Sequence, residues 1–166
     1  MLTATAMQRF QGEIERAAVL AMFIPLVMSS GGNSGSQATS LVIRALSLQE
    51  VRLRDWWKIA MRELPTGLVL GAILGLIGFT RIVLWQHMGI FDYGPHFFLL
   101  AIAVGFALVG IVAFGSLAGS MLPFLLKRIG FDPASASAPF VATLVDVTGL
   151  VIYFSVAYIV LHGTLL

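Results

Sequence analysis

Four long apolar stretches separated by short polar or charged segments organise the chain: residues 17–43, 64–85, 97–126 and 138–161. Each exceeds the ~20 helical residues needed to cross a hydrocarbon core. The pattern therefore predicts an all-α, polytopic membrane bundle with four transmembrane helices. The first stretch differs from the other three. Its continuous apolar part, residues 17–28, would cover only about 18 Å at 1.5 Å per residue. It runs into S-S-G-G-N-S-G-S-Q-A-T-S over residues 29–40. That uncharged, glycine-rich tract must lie inside the membrane, where irregular backbone is tolerated only against protein or a water-filled cavity. The first span is expected to be partly unwound. The fourth stretch holds a second anomaly, Asp146, alone among apolar and small residues. Ionisable groups inside membranes mark ion or proton paths.

Composition removes several function classes. With 58% hydrophobic residues, 11% charged residues and a mean hydropathy of +0.95, the 166-residue chain is an integral membrane protein rather than a soluble domain. It has no cysteine, which excludes disulfides, thiolate metal sites and cysteine nucleophiles and disfavours soft metals. Most cations flank the apolar segments and read as topology signals. Arg44, Arg52, Arg54, Lys58, Arg62, Lys127 and Arg128 fall on one side, against Arg9, Arg16 and Arg81 on the other. The excess places loops 44–63 and 127–132 in the cytoplasm of a bacterial-type plasma (inner) membrane. Both chain ends, with His87, His96 and His162, then lie outside. Residues 1–7 lack the basic start and apolar core of a secretory signal. An upstream span is thus expected to be missing, with residues 1–166 forming the single transmembrane ion-transport domain of a longer protein.

The helix rise estimates depth. Asp146 lies about 12 Å above the cytoplasmic edge, Asn33 about 15 Å and Gln37 about 9 Å. The carboxylate and the polar tract are level, and Gly71, Gly75, Gly115 and Gly119 come to a similar depth. Glycines such as Gly67, Gly71 and Gly75 serve either close helix packing or backbone approach to an ion. No Lys or Arg shares the depth of Asp146. Its outlets are protonation, hydrogen bonding to Thr143 or Asn33, or a bound cation. In the tract, Gly31, Gly32 and Gly35 would let carbonyls turn inward while Asn33 supplies a side-chain oxygen. The bland reading is a helix break whose Asn33 and Gln37 amides bond neighbouring helices. On the last span Pro139, Ala142, Thr143, Asp146, Gly149 and Tyr153 recur on one face with oxygen donors and little bulk. Pro139 disturbs the turn holding Ser135 and Ala138, so carbonyls there could face an ion.

Other polar residues have simpler roles. His87, His96 and Asp92 flank an outer loop but lack metal-ligand spacing, and read as interfacial groups. Trp56, Trp57, Trp85 and Tyr93 sit where interface anchors belong. Glu63 opens the second span, either pairing with a neighbouring base or attracting ions at the inner mouth.

Three blocks carry a family resemblance: P-L-V-M-S-S-G-G-N-S-G-S-Q-A-T-S-L-V-I-R-A-L at residues 25–46, M-L-P-F-L-L-K-R-I-G-F-D-P at 121–133 and P-F-V-A-T-L-V-D-V-T-G-L at 139–150. In this order the chain resembles the membrane domain of MgtE-type magnesium transporters over nearly its whole length. The resemblance implies a homodimer of five-helix domains with the pore on the two-fold axis, this chain supplying the last four helices. It also implies cytoplasmic N-terminal and CBS regulatory domains outside this sequence. Carried over by position, Asp146 corresponds to the pore aspartate. Ala142 would offer a carbonyl, Asn33 belongs to the G-G-N tract beside the ion with Gly32, and Glu63 is similar to an acid near the inner mouth. Ala138 departs from the asparagine found there in some members.

The transported and bound ion expected on this reading is Mg2+, which sheds water reluctantly and keeps several water ligands. Paired Asp146 carboxylates would hold its water shell roughly 4 Å from the metal, twice the direct bond length of about 2 Å. Two rival readings remain: an ion-coupled cation exchanger using Asp146 as a proton relay, and a non-conducting membrane assembly module. No nucleophile and base pair or zinc motif supports an enzyme.

Overall fold

The computed structural model describes residues 18–162, and within it the side chains of 135–138 are outside the description. The opening residues on which the expectation of an upstream span rests, including Arg9 and Arg16, fall outside the described residues, as do the side chains of Ser135 and Ala138. The described elements are α1 (Ala18–Ala21), α2 (Ile24–Ser47), a 3-10 turn (Leu53–Asp55), α3 (Trp56–His87), α4 (Phe97–Arg128) and α5 (Pro133–Leu161). There is no strand among the described residues, and four helical segments are long and apolar enough to cross a membrane.

The first span is interrupted, but not in the polar tract. The break lies at Met22–Phe23, between α1 and α2. Pro25 explains its position, since proline has no N–H to continue the preceding turn and is tolerated in the first turn of a new helix. The amides of Met22 and Phe23 turn back to the carbonyls of Val19 and Leu20 at 3.3 and 3.1 Å. The tract 29–40 is helical throughout, which corrects the expectation that its carbonyls turn inward. Helical bonding already engages that backbone, and side-chain hydroxyls reinforce it. Ser30 Oγ donates to the Leu26 carbonyl at 2.7 Å and Ser40 Oγ to that of Ser36 at 2.9 Å. Tertiary packing carries a segment whose glycines are poor helix formers in isolation.

Helix α4 is the hub, with Val104, Leu108, Ile111 and Val112 fully buried. Helices α2, α3 and α5 pack on it, α2 also packs on α5, and α3 leans almost wholly on α4. Glycine permits the closest crossings. A Cβ at Gly115 would come within 2.5 Å of the Gly31 carbonyl oxygen, and one at Gly119 would run into that of Gly35. On the other flank of α4, a Cβ at Gly75 would meet the Gly105 carbonyl at 2.6 Å. Both glycine series are therefore packing surfaces. Thr39, fully buried, donates to the carbonyls of Gly35 and Gly119, both at 2.9 Å, and so ties α2 to α4 where they touch.

Helix α5 starts from a proper cap. Asp132 accepts a hydrogen bond from the Ala134 amide at 3.0 Å, and Pro133 occupies the first turn. The helix runs unbroken across Pro139.

Candidate ion site between α2 and α5

Packing on α4 decides which side of α2 stays open. Gly31, Gly35, Thr39 and Val42 are buried, which turns Ser29, Asn33, Ser36 and Ser40 outward as a single polar row at helical spacing. Opposite the upper part of that row, α5 buries Val141 and Val145 and presents Ala142 and Asp146, one turn apart. Between them runs a groove of about 520 Å³ lined by Ser29, Gly32, Asn33, Ser36, Ala142 and Asp146. A second groove of about 590 Å³ shares Asn33 and Ser36 with it and continues past Gln37 and Ser40 to Leu41.

Asp146 is half-buried in this groove. A Cβ placed on Gly32 would be 3.9 Å from its Oδ1, so the absent side chain at Gly32 keeps the carboxylate accessible. Neither expected internal donor reaches it. Thr143 Oγ1 donates to the Pro139 carbonyl at 3.1 Å, and Asn33 Nδ2 donates to Ser29 Oγ at 3.2 Å. The second bond orients the amide and leaves the Asn33 carbonyl oxygen without a donor from the described residues. Nor does Asp146 take part in an ion pair there, where Lys58–Asp55 at 3.3 Å is the salt bridge found.

The site thus offers a carboxylate, an amide oxygen and hydroxyls, the hard oxygen donors that suit Mg2+ or Ca2+. No group of three or more His, Asp or Glu side chains converges among the described residues. One carboxylate per chain suits an ion that keeps most of its water, and does not suit a dehydrated protein cage.

Other expected residues go elsewhere. Glu63 lies on α3 and is not among the residues lining the α2–α5 groove. Tyr153 is fully buried and donates to the Leu20 carbonyl at 2.8 Å, beside the break before α2. Gly149 is buried toward Ile111, 3.5 Å from a Cβ placed on it. The small-residue face of α5 therefore divides: Ala142 and Asp146 line the groove, while Gly149 and Tyr153 serve the core.

In the loop between α3 and α4, His87 Nδ1 is paired with the Val83 carbonyl at 2.8 Å. Asp92 accepts from Gln86 Nε2 at 3.1 Å and the Gly94 amide at 2.8 Å. These hydrogen bonds hold the Asp92 carboxyl below its usual range, the Gln86 side chain contributing most. Tyr93 is buried against Phe23 and Phe91 rather than standing as an interface anchor. Ser29 and Ser36 were missed as lining groups. Their four- and three-residue spacing from Asn33 identifies them once the tract is known to be helical.

Residues 24–156 match the family model MgtE, described as a divalent cation transporter. The chain is 44% identical to the magnesium transporter MgtE of Thermus thermophilus, over 98% of the chain and 34% of that protein. Identity to the magnesium transporter MgtE of Enterococcus faecalis is 34%, over 95% of the chain and 33% of that protein. For the magnesium transporter MgtE of Bacillus subtilis it is 28%, over 98% and 34%. The chain spans about a third of the length of these curated relatives.

Proposed function

Because the chain belongs to the MgtE family of divalent cation transporters, we propose that it is the transmembrane transport unit of a longer protein and passes hydrated Mg2+ along the α2–α5 groove. The observation that carries this reading is Asp146, a carboxylate open to the groove without a hydrogen bond or ion pair from the described residues. A bare carboxylate between membrane helices is unfavourable unless a cation, water or proton compensates it.

Two copies facing one another across the groove would bring two Asp146 carboxylates to one axis. Asn33, Ser36 and the carbonyl of Ala142 would then hold the ion's water shell, with Gly32 giving it room. The neutral row Ser36, Gln37 and Ser40 leads away from that point without a second strong charge to trap the ion. With loops 44–63 and 127–132 on the cytoplasmic side of a bacterial-type inner membrane, flow is inward. A divalent ion gains about 4.6 kcal/mol per 100 mV, twice the single-charge value. Glu63, outside the groove lining, would attract ions at the inner mouth rather than hold one beside Asp146. Gating by soluble domains is assigned to the rest of the longer protein.

Titration calorimetry with Mg2+ on the purified chain and on Asp146→Asn, with Ca2+ as competitor, tests the proposal. Saturable binding that is lost in the variant and resists calcium supports it. Equal binding by the two proteins overturns it and favours the assembly-module reading.

A further inference from the structure

A third groove lies on the opposite side of α5, at the basic end of the bundle. It measures about 500 Å³ and is lined by Trp56, Ala118, Leu122, Leu125 and Leu144, with Arg128 at its rim. Leu144 and Asp146 are two positions apart, so they leave α5 on nearly opposite faces. The apolar groove and the ion groove therefore flank the same helix without sharing a lining residue.

Exposed leucines are ordinary on membrane helices and identify nothing by themselves. Three features set this place apart: it is concave, Trp56 stands in its wall half exposed, and Arg128 is exposed with no ion pair among the described residues. The adjoining sequence adds Arg52 and Arg54, which bracket the lining residue Leu53, and Lys127. No acidic side chain lines the groove. Indole rings settle at the headgroup level, which puts the rim where lipid phosphates lie. Basic pockets between transmembrane helices select anionic headgroups there.

We infer that this groove binds an anionic phospholipid, one acyl chain lying along Ala118, Leu122, Leu125 and Leu144 and the phosphate resting on Arg128. The apolar wall supplies non-specific contact to any lipid tail, and the guanidinium supplies the headgroup preference through a planar, two-pronged contact to phosphate oxygens. A bound lipid then braces the flank of α5 facing away from Asp146. The site depends only on the helices spanning a bilayer, and stands or falls apart from the ion path.

Native mass spectrometry of the purified chain in detergent, titrated with phosphatidylglycerol or phosphatidylcholine, reads the occupancy. Wild type is expected to retain phosphatidylglycerol in preference. Arg128→Gln should lower that retention by about fivefold, the weight of one basic residue at a membrane surface. Lys127→Gln removes the same charge one residue away, outside the lining, and should change retention much less. Ala118→Trp fills the groove and should displace both lipids while Lys127→Gln and wild type keep them. Equal retention of the two lipids by wild type overturns the inference, as does an equal loss in Arg128→Gln and Lys127→Gln, which would mark a diffuse charge effect. Lipid release on dimerisation, together with a cysteine crosslink between copies through Leu125→Cys, would instead assign the groove to a second copy and overturn it as well.

Discussion

Replacing Asp146 by asparagine changes one atom's identity and removes one charge, so the structure sets a scale for the result. The carboxylate opens into a groove rather than a closed cavity, which makes the water limit of Coulomb's law the appropriate one. At a separation of about 4 Å two unit charges attract by about 1 kcal/mol in water, hence about 2 kcal/mol for a divalent ion. Two carboxylates on a shared axis would give about 4 kcal/mol. Since 1.4 kcal/mol is a factor of ten, Asp146→Asn should weaken Mg2+ binding about 30-fold if one carboxylate acts and about 1,000-fold if two do. Calorimetry across a concentration series separates these cases, and its stoichiometry per chain checks the pairing. Folding should be unaffected, because no hydrogen bond or ion pair from the described residues is lost. The melting temperature in detergent should stay level, or rise as a poorly compensated charge is removed. A loss of affinity below about threefold would refute the electrostatic role. A clear drop in melting temperature would refute the account of Asp146 as lacking an internal partner.

Three further perturbations probe the frame around that site. Gly119→Ala should destabilise the fold by about 1–3 kcal/mol, since its methyl group runs into the Gly35 carbonyl. Gly32→Ala, whose methyl meets only Asp146 Oδ1 at 3.9 Å, should leave thermal stability equal or higher and weaken Mg2+ binding by crowding the groove. Thr39→Val should cost about 1 kcal/mol through loss of the bond to Gly119, with Thr39→Ser recovering most of it in the same melting assay. In the loop between α3 and α4, the Asp92 carboxyl is held below its ordinary value of 3.8 by Gln86 and the Gly94 amide. The protection it provides should be complete above that pH and lost at more acidic pH as the carboxylate is protonated. Hydrogen exchange at the Gly94 amide measures this, and Asp92→Asn should abolish the pH dependence.

Membrane insertion sums transfer free energies over neighbouring residues, so the four spans, the sideless charge of Asp146 and the polar tract could all be read along the chain. The motif blocks 25–46, 121–133 and 139–150 likewise sit in contiguous sequence, which is why the family was legible there. Depth alone, one coordinate per residue, brought Asn33 and Asp146 level, and the two line one groove between α2 and α5. Rotation about each helix axis was not available from that coordinate. It depends on which faces interlock with α4, a matter of close contacts between residues far apart in sequence. Packing of Gly31 and Gly35 on Gly115 and Gly119 keeps the tract wound and turns the Ser29, Asn33 and Ser36 row into the groove. The same packing sends the Tyr153 hydroxyl to the Leu20 carbonyl, and α3, leaning on α4, contributes no residue to the lining of the α2–α5 groove. Sequence determined what must enter the membrane and which residues are out of place there; tertiary contacts decided which of those residues face one another, because steric fit between helices is not a local property.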